Sequence, residues 1–487
     1  DIDVGNGKSR RCSLKTHLAV STALASVVLL GYGGRKAYAA CTGSGGTYVC
    51  SGATATTQSL TGTPLTVTTA ADFAITTTAG NALELYGTGG MSFSDANASI
   101  ITGYGRGIFA INGVSGTLSI TTTGDVTGTN SVGIWARNYG TDLTIEAASV
   151  SGGSHGIYAR NFGSGLLSVT TNGTVTGGTG AAIFTATGLG LLTNITLNSG
   201  ADVSATSGIA ITNDAGDSNT LVNTGATVSG NITLADGSDD LTFDGGTFSG
   251  TPTFDGGDDA SSADGFIDRL SFSGNSGTAT IINWEEIFLA NSTLTFNGSG
   301  GNFTAPEVLS LSSGSDLTIA GNFIGTGGRL IQDVDLASDE ADTLTITGTS
   351  SGTTTVTVNA QSSGPASGND ITLITVNGAA GADVMDNFLF GAYLFELLLS
   401  GNDFVLTPSL SPETPVFEAY PQILAGLNSL PDFNARFAGQ GAAVSGSAPL
   451  SYAANDRALE TGSVARTNAI WVRIEGLYSP LDPAQSS

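Results

Sequence analysis

Gly274-Asn275-Ser276-Gly277 sets a serine in a glycine-flanked turn, the setting of an acyl-transfer nucleophile. Such a serine needs an imidazole base, and the single histidine beyond residue 40 is His155. His155 takes the place that Val132 holds one repeat earlier, so a corner or surface histidine is the simpler reading. Asp239, Asp240, Asp255, Asp258 and Asp259 are the next reactive group. Paired carboxylates could hydrolyse a glycoside, and acidic turns could hold Ca²⁺. The tandem glycine-aspartate units that Ca²⁺ would need are broken here, and solvated corner acids explain these residues more simply. Arg137 and Arg160 recur in register beside Tyr139 and Phe162. They read as a surface contact stripe for sugar or protein, or more plainly as a solvated arginine ladder packed on aromatics. Cys41 and Cys50 suit a small disulfide loop in an oxidising compartment, worth about 2–3 kcal/mol. A zinc site would need more ligands than these two cysteines and one histidine. No catalytic residue, metal ligand or cofactor follows from these groups.

The elements that carry them repeat. Gly107-Ile108-Phe109-Ala110-Ile111-Asn112 returns as Gly133-Ile134-Trp135-Ala136-Arg137-Asn138 and Gly156-Ile157-Tyr158-Ala159-Arg160-Asn161. Ala182-Ile183-Phe184-Thr185 and Gly208-Ile209-Ala210-Ile211-Thr212-Asn213 are looser copies, so the isoleucines advance by 26, 23, 26 and 26 residues. A second series starts at Leu118, Leu143, Leu167, Ile195 and Leu221, and a third at Val126, Val150, Val175, Val203 and Val228. Each unit therefore holds three short alternating strands. A unit this small cannot bury its own apolar face, but stacking on a copy of itself can. The expected fold is all-β, a right-handed parallel β-helix, with Gly and Asn supplying positive-φ corners. At ~25 residues per coil, residues 41–410 make about 15 rungs and ~70 Å.

Beyond Asn231 the texture changes. Gly230-Asn231-Ile232-Thr233-Leu234-Ala235-Asp236-Gly237 forms an acidic turn, and Asn283-Trp284-Glu285-Glu286-Ile287 a strand. Near the end come Phe417-Glu418-Ala419-Tyr420-Pro421, then Trp471-Val472-Arg473-Ile474-Glu475-Gly476. With the Gly-Ile-aromatic-Ala repeats, these motifs resemble the passenger of a bacterial autotransporter and its junction with a translocator. The resemblance implies a passenger over 41–410, a linker helix and connection over 411–470, and the first strand of an outer-membrane barrel over 471–487. Phe417, Glu418, Ala419, Tyr420, Pro421, Trp471, Arg473, Glu475 and Gly476 carry the junction motif. A barrel needs several strands of ~9–11 residues, so residues 471–487 read as an incomplete one.

Residues 1–40 have the order of a secretory signal: basic Lys8 to Lys15, apolar Leu18 to Leu30, then Ala37-Tyr38-Ala39. The remaining chain holds 9 basic and 39 acidic residues after 6 of 15 bases and 2 of 41 acids are removed, a charge of −30. A surface so acidic repels phosphate, which argues against nucleic-acid partners. The implied partners are the outer-membrane insertion machinery, the chain's own barrel, and a host surface glycan or protein. A non-enzymatic, adhesin-like passenger on the cell surface or released from it is the expected function. A β-helical polysaccharide lyase or hydrolase is the alternative, since such enzymes use the same coil.

Overall fold

The computed structural model describes residues 40–412, apart from 189, 258, 259, 362, 363, 382, 383 and 386, together with 419–425. The chain divides into two units after Thr414. The first is a parallel β-solenoid of about 12 turns. In-register pairing turns the repeats into columns. On the first face Leu83, Ile108, Ile134, Ile157, Ile183, Ile211 and Ile232 lie one above another. On the third, Val126, Val150, Val175, Val203 and Val228 do the same. The strand Ile134–Asn138 alternates buried and half-buried residues, as a sheet with one face on the core requires. Each inward aliphatic contributes about 1.5–3 kcal/mol of burial.

The rungs are fewer than the ~15 expected from a constant coil length. The chain spends residues elsewhere. Ala40–Ser44 and Thr47–Ser51 form an antiparallel hairpin at the start. At the other end Tyr393–Ser400 pairs antiparallel with Asp403–Leu410, which in turn pairs with Ile371–Val376. These hairpins blunt the open edges that a solenoid otherwise presents to other chains.

Two of the expected columns are displaced. Ile211, not Ile209, stands over Ile183; in the second series Thr193, not Ile195, stands over Leu167, and Thr220, not Leu221, over Ile195. Gly208 takes φ 82° just before Ile209, and the register shifts on either side of Ile209 in this strand. An irregularity of this kind exchanges which side chains reach the core.

The expected positive-φ corners are supplied by Gly116, Gly200, Gly225 and Asn291 among others, but the Gly and Asn of the repeated hexapeptides serve other ends. None of Gly107, Gly133, Gly156, Asn112, Asn138 or Asn161 has positive φ. Gly133 is needed for space: a Cβ there would lie 2.5 Å from Val150 Cγ1 and 2.7 Å from the Gly156 carbonyl oxygen. The asparagines form a buried amide ladder. Asn112 Nδ2 donates to Asn138 Oδ1 at 2.8 Å, and Asn138 Nδ2 donates to Asn161 Oδ1 at 2.9 Å. Asn138 Nδ2 also donates to the Thr141 carbonyl at 3.0 Å, while its Oδ1 accepts from Gly140 N–H at 3.2 Å. Across these three rungs each asparagine is tied to the next by one hydrogen bond and pins its own corner. Asn138→Ala should cost about 2–3 kcal/mol by stranding these buried groups. Thermal melts of wild type and variant check it, and an unchanged melting temperature would remove the ladder from the account.

From Phe243 onward the core changes composition. Phe243 stacks on Phe272 with centroids 5.3 Å apart, and Phe272, Phe296, Phe303 and Phe323 follow at 5.9, 6.1 and 6.1 Å. These larger rings fill the interior of the C-terminal turns. Residues 419–425 of the second unit are helical, and Tyr420, Ile423 and Leu424 are exposed. Among the described residues no helix is long and apolar enough to cross a membrane.

Candidate functional site

The outward positions of the first face make an aromatic column. In the alternation Ile-in, ring-out, Ala-in, Arg-out, Asn-in, parallel pairing sets Phe109, Trp135, Tyr158 and Phe184 in register. Their rings stack at 4.6 Å, 6.1 Å and 4.6 Å, with interplanar angles of 29°, 1° and 4°. Glu84 and Thr212 occupy the same position at either end, so the column stops there. Each stacked pair adds about 0.5–1.5 kcal/mol beyond burial.

Arginines flank the rings on both sides. Arg137 Cζ lies 4.8 Å from the Trp135 ring centroid and 5.4 Å from that of Phe162. Arg160 sits 5.3 Å from Tyr158 and 5.2 Å from Phe184. On the opposite flank Arg106 lies 4.7 Å from Phe109 and 5.3 Å from Trp135. The Nε atoms of all three are buried without a hydrogen-bond partner, packed as cations on rings. Tyr139 and Phe162 protrude from the corner that the asparagine ladder pins. They stack on each other at 5.3 Å and are 42% and 51% exposed. Arg137 Nη1 donates to Tyr139 Oη at 3.4 Å, and Arg160 Nη2 pairs with Asp214 Oδ2 at 3.1 Å.

The structure thus brings Arg137, Tyr139, Arg160 and Phe162 together on one face. Sequence reasoning about sites missed Arg106 and the four stacked rings between the flanks. The rings had a signal, the third residue of each Gly-Ile-aromatic-Ala copy. Arg106 had none, because Val132 and His155 stand at its position in the next two copies.

The other reactive groups separate. His155 packs edge-on to Tyr158 and Phe184, at 5.4 and 5.6 Å, and burial holds its imidazole below the ordinary value. Ser276 lies on the strand Ser276–Ile282, reached from the rung of His155 by five successive pairings. At ~4.8 Å per pairing that is about 24 Å, too far for a nucleophile and its base. The aspartates are not all solvated corners. Asp239 is 1% exposed, in the inward column that continues from Ser218 to Asp268 and Glu285. Asp239 N–H donates to Asp268 Oδ1 at 2.8 Å, and Asp268 N–H donates to Glu285 Oε2 at 2.6 Å. Burial pushes the Asp239 carboxyl up to about 7, with Asp217 and Asp240 adding repulsion and Ser218 offsetting part of it. Asp258 and Asp259 lie outside the described residues, as do Phe417, Glu418, Trp471, Arg473, Glu475, Gly476 and residues 1–39. Of the junction motif, Ala419, Tyr420 and Pro421 open the helical stretch 419–425. Among the described residues no group of three or more His, Cys, Asp or Glu is placed to hold a metal ion. Cys41 and Cys50 face each other across the first hairpin with their sulfurs bonded.

Residues 283–395 match the family model described as Autochaperone Domain Type 1. No curated protein matches the chain. Among solved structures it is similar to the crystal structure of the Haemophilus influenzae Hap adhesin, at 14% identity and a TM-score of 0.25. That alignment covers 71% of this chain and 41% of the Hap chain, so this chain spans about two fifths of that protein's length. The autochaperone match over the C-terminal turns of a stack of parallel rungs supports an autotransporter passenger.

Proposed function

We propose that the chain is a non-enzymatic, adhesin-like passenger, exported through its own C-terminal barrel and held at or released from the bacterial surface. Its contact surface is the ring column with its arginine flanks, and that column is the observation that carries the reading. Stacked half-exposed rings and guanidiniums on a flat outer face are the groups that dominate protein–partner contacts. Hydrophobic burial does not require them there, since the inward residues already fill the core. The rungs beneath fix their spacing, so the surface is rigid before it meets a partner.

Export fits the same sequence. A passenger that crosses a pore unfolded is helped by self-repulsion, which a charge of −30 over residues 41–487 supplies. A single hairpin-spanning disulfide closes only a short loop.

The test compares bacteria displaying the full chain with bacteria displaying the Arg137→Gln/Arg160→Gln variant. Attachment to host epithelial cells should fall about tenfold for the variant at equal surface density. Equal attachment would take the adhesive role from this face. Hydrolysis or uronide release from polysaccharide by the purified chain would replace the reading with an enzymatic one.

A further inference from the structure

We infer that the arginine–aromatic face binds a short acidic glycan, with sugar rings along the column and carboxylates on the guanidiniums of neighbouring rungs. This inference rests on the adhesive reading above and names the ligand class for the same face.

Charge placement is the first argument. The chain beyond residue 40 has nine arginines and no lysine, against 39 acids. Of the five arginines among the described residues, Arg106, Arg137 and Arg160 lie on this one face. Arg269 is spent on Glu286, with Nε 2.6 Å from its carboxylate. Scattered solubilising charge would not gather the rare cations of an acidic protein onto a few consecutive rungs. The field of the whole chain repels long polyanions, which favours a ligand of few charges held partly by apolar contact.

Geometry is the second. A guanidinium has five N–H donors. The buried Nε atoms lie against rings, so the planes are already oriented. Arg137 Nη1 is held by Tyr139 Oη and Arg160 Nη2 by the exposed carboxylate of Asp214, which leaves Arg137 Nη2 and Arg160 Nη1 to meet an anion. Arg137 and Arg160 pair directly in register, which sets them one rung apart, about 4.8 Å. Adjacent rungs therefore offer one charge-assisted N–H contact to a carboxylate from each guanidinium at a fixed repeat. An acidic peptide would gain most by adding a strand to an open sheet edge. These rungs have none to offer, because Ile134–Asn138 is paired on both sides, with the strands of Ile108 and Ile157. A glycan needs no such edge. It can lie on the half-exposed rims of Trp135 and Tyr158.

Isothermal titration of the full chain with trigalacturonate tests the inference, with neutral cellotriose and a triglutamate peptide as comparators. Trigalacturonate should bind at least tenfold more tightly than either comparator, and more weakly as NaCl rises. Arg137→Gln/Arg160→Gln should weaken it about tenfold or more, while Arg269→Gln, on a remote rung, should change it less than about twofold. Where the double variant melts below wild type, Arg106→Gln alone supplies the same comparison. Equal binding of cellotriose, equal binding of the peptide, or no response to the arginine substitutions would overturn the inference. Trigalacturonate that fails to bind a chain whose cell attachment still depends on Arg137 and Arg160 would overturn the ligand class and leave the adhesive reading. Loss of both dependences would overturn both.

Discussion

Asp239→Asn should stabilise the solenoid at pH 8 by several kcal/mol and leave it nearly unchanged at pH 4. The Asp239 carboxyl moves from an ordinary 3.8 to about 7 on folding, chiefly because burial disfavours its charge. A shift of about three units corresponds to roughly 4 kcal/mol between the two protonation states, an upper figure for a group with like-charged neighbours. The sign follows from which state holds the proton. The folded chain keeps a proton that the unfolded chain releases, so the favourable contribution is complete below 3.8. It is lost as pH rises through about 7. Asparagine keeps the shape without the charge and should flatten that window. Thermal melts of both proteins at pH 4, 6 and 8 measure it. A variant that melts lower by the same amount at every pH would show that the carboxylate is held charged and well solvated, contrary to its 1% exposure.

Asp239 also shows where sequence reading ran out. Asp239 and Asp240 are adjacent in an acidic turn, and nothing local says which of them points inward. The answer is set by pairing with Ser218 above and Asp268 below, partners 21 and 29 residues away. The third-face valines were legible because parallel in-register pairing converts a sequence period directly into a spatial column. The first-face isoleucines were legible for the same reason until Gly208, where the register shifts break the period. The positive-φ corner glycines, Gly116 and Gly225 among them, were legible, but the reason for the glycine and asparagine of the repeated hexapeptides was not. Steric contact with Val150 and amide stacking between copies both depend on the rung below. Arg137 and Arg160 were visible because they repeat. Arg106 reaches the same rings from the other flank, where the repeat varies freely, so no spacing announced it.

Phe303→Ala should slow folding of the whole passenger by about two orders of magnitude, whereas Ile145→Ala should mainly speed its unfolding. Both side chains are buried, at 1% and 0% exposure, and both truncations should cost about 2–5 kcal/mol. They differ in place. Phe303 lies within the autochaperone match at 283–395 and in the phenylalanine stack, 6.1 Å from both Phe296 and Phe323. Ile145 lies six pairings earlier on the second face, in the aliphatic turns. A solenoid rung cannot bury its face alone, so the slow step is assembling the first few rungs that can. Rings bury more area per residue than the isoleucines and valines of the earlier turns, which makes the phenylalanine turns the cheapest place to start. Once they exist, each further rung pairs with a formed edge at low loop cost. A truncation in the starting turns acts on the folding rate, and one in the later turns acts on the unfolding rate. Refolding and unfolding of the full chain, followed by far-ultraviolet dichroism after denaturant jumps, separate the two. Limited proteolysis should leave a resistant core from the C-terminal part of the solenoid, about 300–410. A core from the N-terminal turns, or equal slowing by both substitutions, would place the start of folding elsewhere.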